Sequence, residues 1–181
     1  MQSPIDSNDK ILIAKARQGD AESFGLLFDK YYSKIYRFVF YKVSNRELAE
    51  DFTSQVFLKA WEHISSGVKV NAFQAWIYRI SRNLIIDYYR SREKEELALI
   101  YSDDDSDNET EFKVDPDKNL DLQNLEKILF NLRNEIREIV VLRYIDDLPI
   151  KEISKIVDKS QANVRVIIHR ALKELNKYID K

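Results

Sequence analysis

The chain contains no cysteine, and only three glycines and three prolines in 181 residues. Without thiols it can form no disulfide and no thiolate metal site. So little glycine and proline leaves almost none of the tight-turn chemistry that an all-β domain needs, and helices become the expectation. Histidine is nearly as scarce. His63 and His169 lie far apart, and no HExxH-type spacing exists, so neither a metal site nor a cofactor is expected. No apolar run approaches the roughly 20 residues that span a bilayer. The N-terminus carries Asp6, Asp9 and Lys10 where a secretory signal would have a basic start and a long apolar run. A cytoplasmic protein without membrane insertion is expected.

What is present is charge, unevenly placed. The net charge of −2 is dominated by Ser102–Lys118, where eight acids and two lysines give −6 and leave +4 on the rest. Arg79–Lys94 has five bases against two acids, and Leu148–Tyr178 has seven against three. Two basic islands therefore flank an acidic strip, a distribution that suits a nucleic-acid binder better than the total does. The strip, "YSDDDSDNETEFKVDPDK", has almost no apolar periodicity and reads as a flexible linker over 96–121. It divides the chain into a first domain at 8–95 and a second at 122–181. The fold class is all-α: two small helical domains joined by the acidic linker, the second a helix-turn-helix.

In the first domain, Asp20 opens a helix whose apolar residues Phe24, Leu27, Phe28, Tyr31, Ile35, Phe38 and Val39 recur at helical spacing. Ser44 and Asn45 are cap candidates for the next helix, with Glu47 placed for a capping box with Ser44. Its inner stripe is Leu48, Phe52, Val56, Ala60 and Ile64. After the loop "SSGVKVN" comes "FQAWIYRISRNLIIDYYRSR". Phe73, Trp76, Ile77, Ile80, Leu84 and Tyr88 fall on one side of that helix, and Arg79, Arg82, Asn83, Ile86, Tyr89 and Arg90 on the other. Guanidiniums, an amide and a phenol can grip phosphate, hydrogen-bond bases or stack on them. Taken alone, the face equally suits a solvated surface with snorkelling arginines.

In the second domain, "LQNLEKILFNLRNEIREIVVLRYI" is expected as one helix with Leu125, Ile128, Leu129, Leu132, Ile136, Ile139 and Val140 inward. A short helix marked by Ile150, Ile153, Ile156 and Val157 follows, then the turn "DKS", then a longer basic helix behind a Ser160 N-cap. Short helix, tight turn and longer helix is the helix-turn-helix pattern, with Asp158 and Lys159 where a turn glycine is usual. In the longer helix, Val164, Ile168, Ala171, Leu175 and Ile179 point inward. Ala162, Arg165, Val166, His169 and Lys173 point outward, where a recognition helix meets DNA. A helical hairpin that docks a protein is the alternative, and the basic outer face favours DNA.

Three segments, "AEDFTSQVFLKAW" (Ala49–Trp61), "AWIYRISRNLIIDYYR" (Ala75–Arg90) and "LRNEIREIVVLRYIDDLPIKEISKIV" (Leu132–Val157), resemble in that order the extracytoplasmic-function group of bacterial RNA polymerase sigma factors. The resemblance covers nearly the whole chain outside the linker and N-terminus. It implies an alternative sigma factor that is not an enzyme: the first domain docks on core polymerase and opens the minus-ten element, and the second reads the minus-thirty-five element. Its partners would be RNA polymerase core, promoter DNA and an anti-sigma factor. Asp51, Gln55, Leu58 and Glu62, an outward ridge at i, i+4, i+7 and i+11, become the polymerase-docking residues. Arg79, Arg82, Asn83 and Arg90 become minus-ten contacts. Lys69 and Asn71 join them in the loop that the family uses to capture an extruded base.

Upstream, Ser160, Arg165, Val166, His169, Arg170 and Lys173 become the minus-thirty-five set. There the chain departs from the common family pattern "SEGTVKSRLHRAR", having "SQANVRVIIHRAL" instead, so the family's sequence preference does not transfer. Val166 can instead pack on a thymine methyl. A free-standing helix-turn-helix regulator is the rival reading, and it leaves the long first domain without a task. An RNA-processing enzyme is the other, and no carboxylate pair, nucleophile–base set or phosphate-binding glycine loop supports it.

Overall fold

The computed structural model describes the backbone of residues 5–100 and 127–179, with side chains over 8–92 and 127–176. Among these residues every regular element is helical. The first domain holds α1 (Ile5–Ala16), α2 (Ala21–Val43), α3 (Arg46–Ser65) and α4 (Phe73–Ile100). In the second, helical residues 127–131 precede α5 (Asn134–Val140), which runs into a π-helical turn (Val141–Ile145). Then come α6 (Ile150–Val157) and α7 (Gln161–Ile179). Of the expected linker, 96–100 continue α4; the acidic strip Ser102–Lys118 and Leu125 lie outside the described residues. No helix among the described residues is long and apolar enough to cross a membrane.

Helix starts follow local chemistry. Asp20 caps α2, its carboxylate accepting from the amides of Glu22 and Ser23 and from the Ser23 hydroxyl at 2.7 Å. Asn45 caps α3, accepting from the Leu48 amide at 2.9 Å. The expected Ser44–Glu47 capping box does not form. Ser44 instead ends α2 in the left-handed conformation (φ 56°), its amide bonded to the Phe40 carbonyl. One residue cannot both terminate a helix there and cap the next.

The stripe of α2 packs as its spacing predicts: Leu27, Tyr31, Ile35, Phe38 and Val39 are buried, with Phe24 and Phe28 half-buried against α3. On α4 the buried set is rotated from the expected one. Phe73, Ile77, Tyr78, Ser81 and Ile85 are buried, while Trp76, Ile80, Leu84 and Tyr88 are only half-buried. The reason is tertiary, because the second domain covers the other flank of α4: α6 packs on α4, and α5 with its π turn packs on α2.

The expected continuous helix over 122–145 is broken at Leu132–Arg133, where Arg133 turns extended before α5. Arg137 reaches back to fill the break, donating to the carbonyls of Phe130 at 3.1 Å and Leu132 at 3.0 Å. A buried guanidinium thus does what water does at an exposed helix end.

Candidate polymerase and promoter interfaces

On α3 the predicted ridge is assembled. Asp51, Leu58 and Glu62 are exposed, and Gln55 donates to the Asp51 carboxylate at 2.9 Å, which fixes its head along the ridge. Leu58 is 58% exposed in the middle of this polar row. The ridge borders a groove of about 350 Å³ between α3 and α4, lined by Leu48, Phe52, Leu84 and Tyr88 with Asp51, Gln55 and Asp87 at its edge. An apolar floor with a polar border is the form that takes a partner helix.

The α3–α4 loop is tied down at its start and open at its tip. The Ser65 hydroxyl donates to the Trp61 carbonyl and that of Ser66 to the His63 carbonyl. Gly67 then turns at φ 89°, a conformation that favours glycine, and its carbonyl accepts from Arg17 at 3.0 Å. Lys69 and Asn71 beyond it are exposed. On α4, Arg79, Asn83 and Arg90 are exposed as expected. Arg82 is not: it is half-buried, with Nε donating to Glu138 of the second domain at 3.0 Å.

The turn between α6 and α7 needs one left-handed residue. Asp158 supplies it (φ 55°), its amide closing on the Ser154 carbonyl, and it replaces the usual glycine because a short polar side chain tolerates this region. Ser160 caps α7, accepting from the Asn163 amide at 3.1 Å. Val164, Ile167 and Ala171 are buried, which leaves Arg165, Val166, His169, Arg170 and Lys173 exposed on the outer face. Arg165, Arg170 and Lys173 make no ion pair with another described residue. Among the described residues no three His, Asp or Glu side chains gather to hold a metal.

Known protein families match both helical domains. Residues 27–95 match the family model of sigma-70 region 2, and residues 122–175 that of sigma-70 region 4. The chain is 30% identical to the ECF RNA polymerase sigma-E factor of Haemophilus influenzae, covering 90% of each. The chain belongs to the ECF group of sigma factors. It is also 29% identical to SigW of Bacillus subtilis, over 92% of this chain and 94% of that one. Against the sigma factor BldN of Streptomyces coelicolor, also 29% identical, the match spans 91% of this chain but 63% of the relative. The fold is that of CnrH in its complex with the cytosolic domain of CnrY, with TM-score 0.70, 23% identity and 96% and 97% coverage. RpoE of Bartonella quintana, in complex with the anti-sigma factor NepR, gives the same TM-score at 21% identity, covering 88% and 98%.

This sigma factor also contains an inter-domain polar cluster that periodicity did not reveal. Asp146, at the end of the π turn, accepts from Arg37 of α2 and from the Tyr78 hydroxyl of α4 at 2.8 Å. Burial lifts the Asp146 carboxyl above its usual range despite these partners, and burial next to that carboxylate raises the Tyr78 phenol strongly. Glu138 on α5 takes Arg82 on one oxygen and Lys42 on the other at 2.9 Å. The one available signal was compositional: two acids, Glu138 and Asp146, sit beside strongly apolar runs where a buried face was expected.

Proposed function

We propose that this sigma factor docks on core polymerase through the Asp51–Glu62 ridge of α3 and the groove behind it. Residues 8–95 then hold and open the minus-ten element, with Arg79, Arg82, Asn83 and Arg90 on the DNA and Lys69 and Asn71 in the loop that takes an extruded base. Residues 122–181 read the minus-thirty-five element through Ser160, Arg165, Val166, His169, Arg170 and Lys173 on α7, and 96–121 link the two. The chain supplies no catalytic group; the polymerase forms the phosphodiester bonds, in the cytoplasm. An anti-sigma factor, the kind of partner named for RpoE of B. quintana, holds it in reserve. The observation that carries this reading is the basic outer face of α7, without ion-pair partners among the described residues and set behind a Ser160-capped turn, on a chain that also presents the α3 ridge. Run-off transcription with purified core polymerase tests it. Added protein should produce a discrete transcript from templates on which core alone makes none, and core binding without any new transcript would contradict it.

A further inference from the structure

One peptide plane steers the loop between α3 and α4. The Gly67 carbonyl and the Val68 amide belong to the same planar unit, so they point in opposite directions. The carbonyl accepts from Arg17 Nη2 at 3.0 Å, and the amide donates to the His63 carbonyl at 3.3 Å. The plane is therefore held on both edges, by α3 on one side and by the end of α1, 50 residues away, on the other. Beyond it, Lys69, Val70 and Asn71 make no backbone hydrogen bond with another described residue, and of the three only Val70 is half-buried. Where Lys69 and Asn71 project thus depends on how the plane ahead of them is turned. Gly67 is there for conformation and not for space. A Cβ added to it would meet nothing within 4 Å, whereas its φ of 89° disfavours every L side chain.

We propose that Arg17 is a positioning residue for base capture: through the Gly67 carbonyl it fixes the direction of Lys69 and Asn71, and so which base the loop selects. This rests on the reading of Ser65–Asn71 as the loop that takes an extruded base. Arg17 is exposed, but it stands on a firm base. Its amide donates to the Ile13 carbonyl at 2.9 Å, and Ala16 before it is fully buried. The turn after it is closed by bonds from the Gly19 amide to the Ala16 carbonyl at 3.0 Å and from the Asp20 amide to the Lys15 carbonyl at 3.2 Å. An exposed hydrogen bond adds little to global stability, because water replaces it at both ends. In a short loop that turns at a glycine, the same bond selects one backbone arrangement among several. Capture then scales with the population of that arrangement. A guanidinium that merely touched a phosphate would act on all sequences alike, whereas one that sets the loop acts on the choice of base.

The test uses the whole chain with core polymerase on a template that the wild type transcribes, carrying 2-aminopurine at each minus-ten position in turn. Wild type should brighten one position, and replacing Ser65–Asn71 with a Gly-Ser stretch should abolish that signal. Arg17→Ala should shift the unstacking equilibrium there toward the stacked base by roughly fivefold, about the contribution of one exposed hydrogen bond. It should also flatten the run-off preference among the four bases placed at that position. The thermal midpoint and the salt slope of promoter binding should stay as in wild type. Arg17→Lys should recover most of the capture and the preference, since one N–H on the carbonyl is what the role requires. Lys10→Ala, which removes an exposed cation from the same helix, is the control for net charge and should behave as wild type. Arg17→Ala combined with Gly67→Ala should lose little more than Gly67→Ala alone, because both act through one peptide plane. Capture and base preference equal to wild type in Arg17→Ala overturn the proposal. An equal loss for all four bases with a shallower salt slope also overturns it, since that marks a phosphate contact. So does a lower melting midpoint with the base preference intact, which marks a purely structural bond. A wild-type signal that survives the loop replacement defeats the loop reading and this inference with it. A signal lost in that replacement but kept in Arg17→Ala defeats this inference alone.

Discussion

Arg137 of α5 donates from Nη1 to the Tyr41 carbonyl of α2 at 3.0 Å, so one buried guanidinium joins the end of α2 in the first domain to the second domain. From Nη2 the same side chain closes the helix break at Phe130 and Leu132, with the Phe130 ring 4.8 Å from its guanidinium carbon. Desolvation pulls its pKa below the ordinary arginine range.

Replacing Arg137 with Met should therefore leave three carbonyls without their donor, at a cost of about 3 kcal/mol in stability. Lys should rescue poorly, because one ammonium on a flexible stem cannot reproduce two diverging N–H directions. Chemical denaturation of the two variants measures this, and Lys behaving as wild type would show that charge alone matters.

The turn into α7 makes a prediction of opposite sign. Asp158 holds a left-handed backbone that glycine adopts without a Cβ penalty, so Asp158→Gly should stabilise the protein by up to about 1 kcal/mol. Promoter affinity should not change, since the backbone already has that conformation. Thermal melting and a binding titration on one sample check both halves.

Much of this was legible in sequence. The stripe of α2, the Asp20 and Ser160 caps, the turn at Asp158 and the outer face of α7 follow from residues within a turn or two of one another. What was not legible depends on partners far along the chain. Tyr78 and Ser81 are buried and Arg82 is covered because α6 packs on α4 while Asp146 and Glu138 reach Tyr78 and Arg82 from 68 and 56 residues away. The break at Leu132–Arg133 was invisible because apolar spacing continues across it, and the side chain that repairs it, Arg137, is not among the apolar residues that such spacing marks. Ser44 misled for a local reason: serine caps helices far more often than it adopts a left-handed conformation.

On the docking face, Leu58→Arg should weaken retention on core polymerase by on the order of tenfold, with helicity intact, because Leu58 is the exposed apolar member of the ridge. Pull-down on immobilised core with circular dichroism as the control reads this directly. Retention equal to wild type would move docking off the α3 ridge.

On α7, Arg165→Ala should reduce discrimination between promoters by about 1–3 kcal/mol if the guanidinium bridges two acceptors on one base, and His169→Ala should reduce it as well. Lys173→Ala should weaken all sequences alike and flatten the salt dependence, as loss of a phosphate contact does. Should Arg165→Ala also lower every sequence equally, Arg165 is a phosphate clamp and specificity passes to Val166 or His169.

The most direct test of the central claim works on any promoter the protein selects. Purified core polymerase transcribes fragmented genomic DNA of the source organism, with and without this protein, and the transcript 5′ ends are sequenced. The protein should concentrate starts at a small set of positions that share two upstream elements. A chain in which Ser65–Asn71 is replaced by a Gly-Ser stretch should lose those starts while still co-eluting with core. A start-site distribution that is the same with and without the wild-type protein would contradict the account.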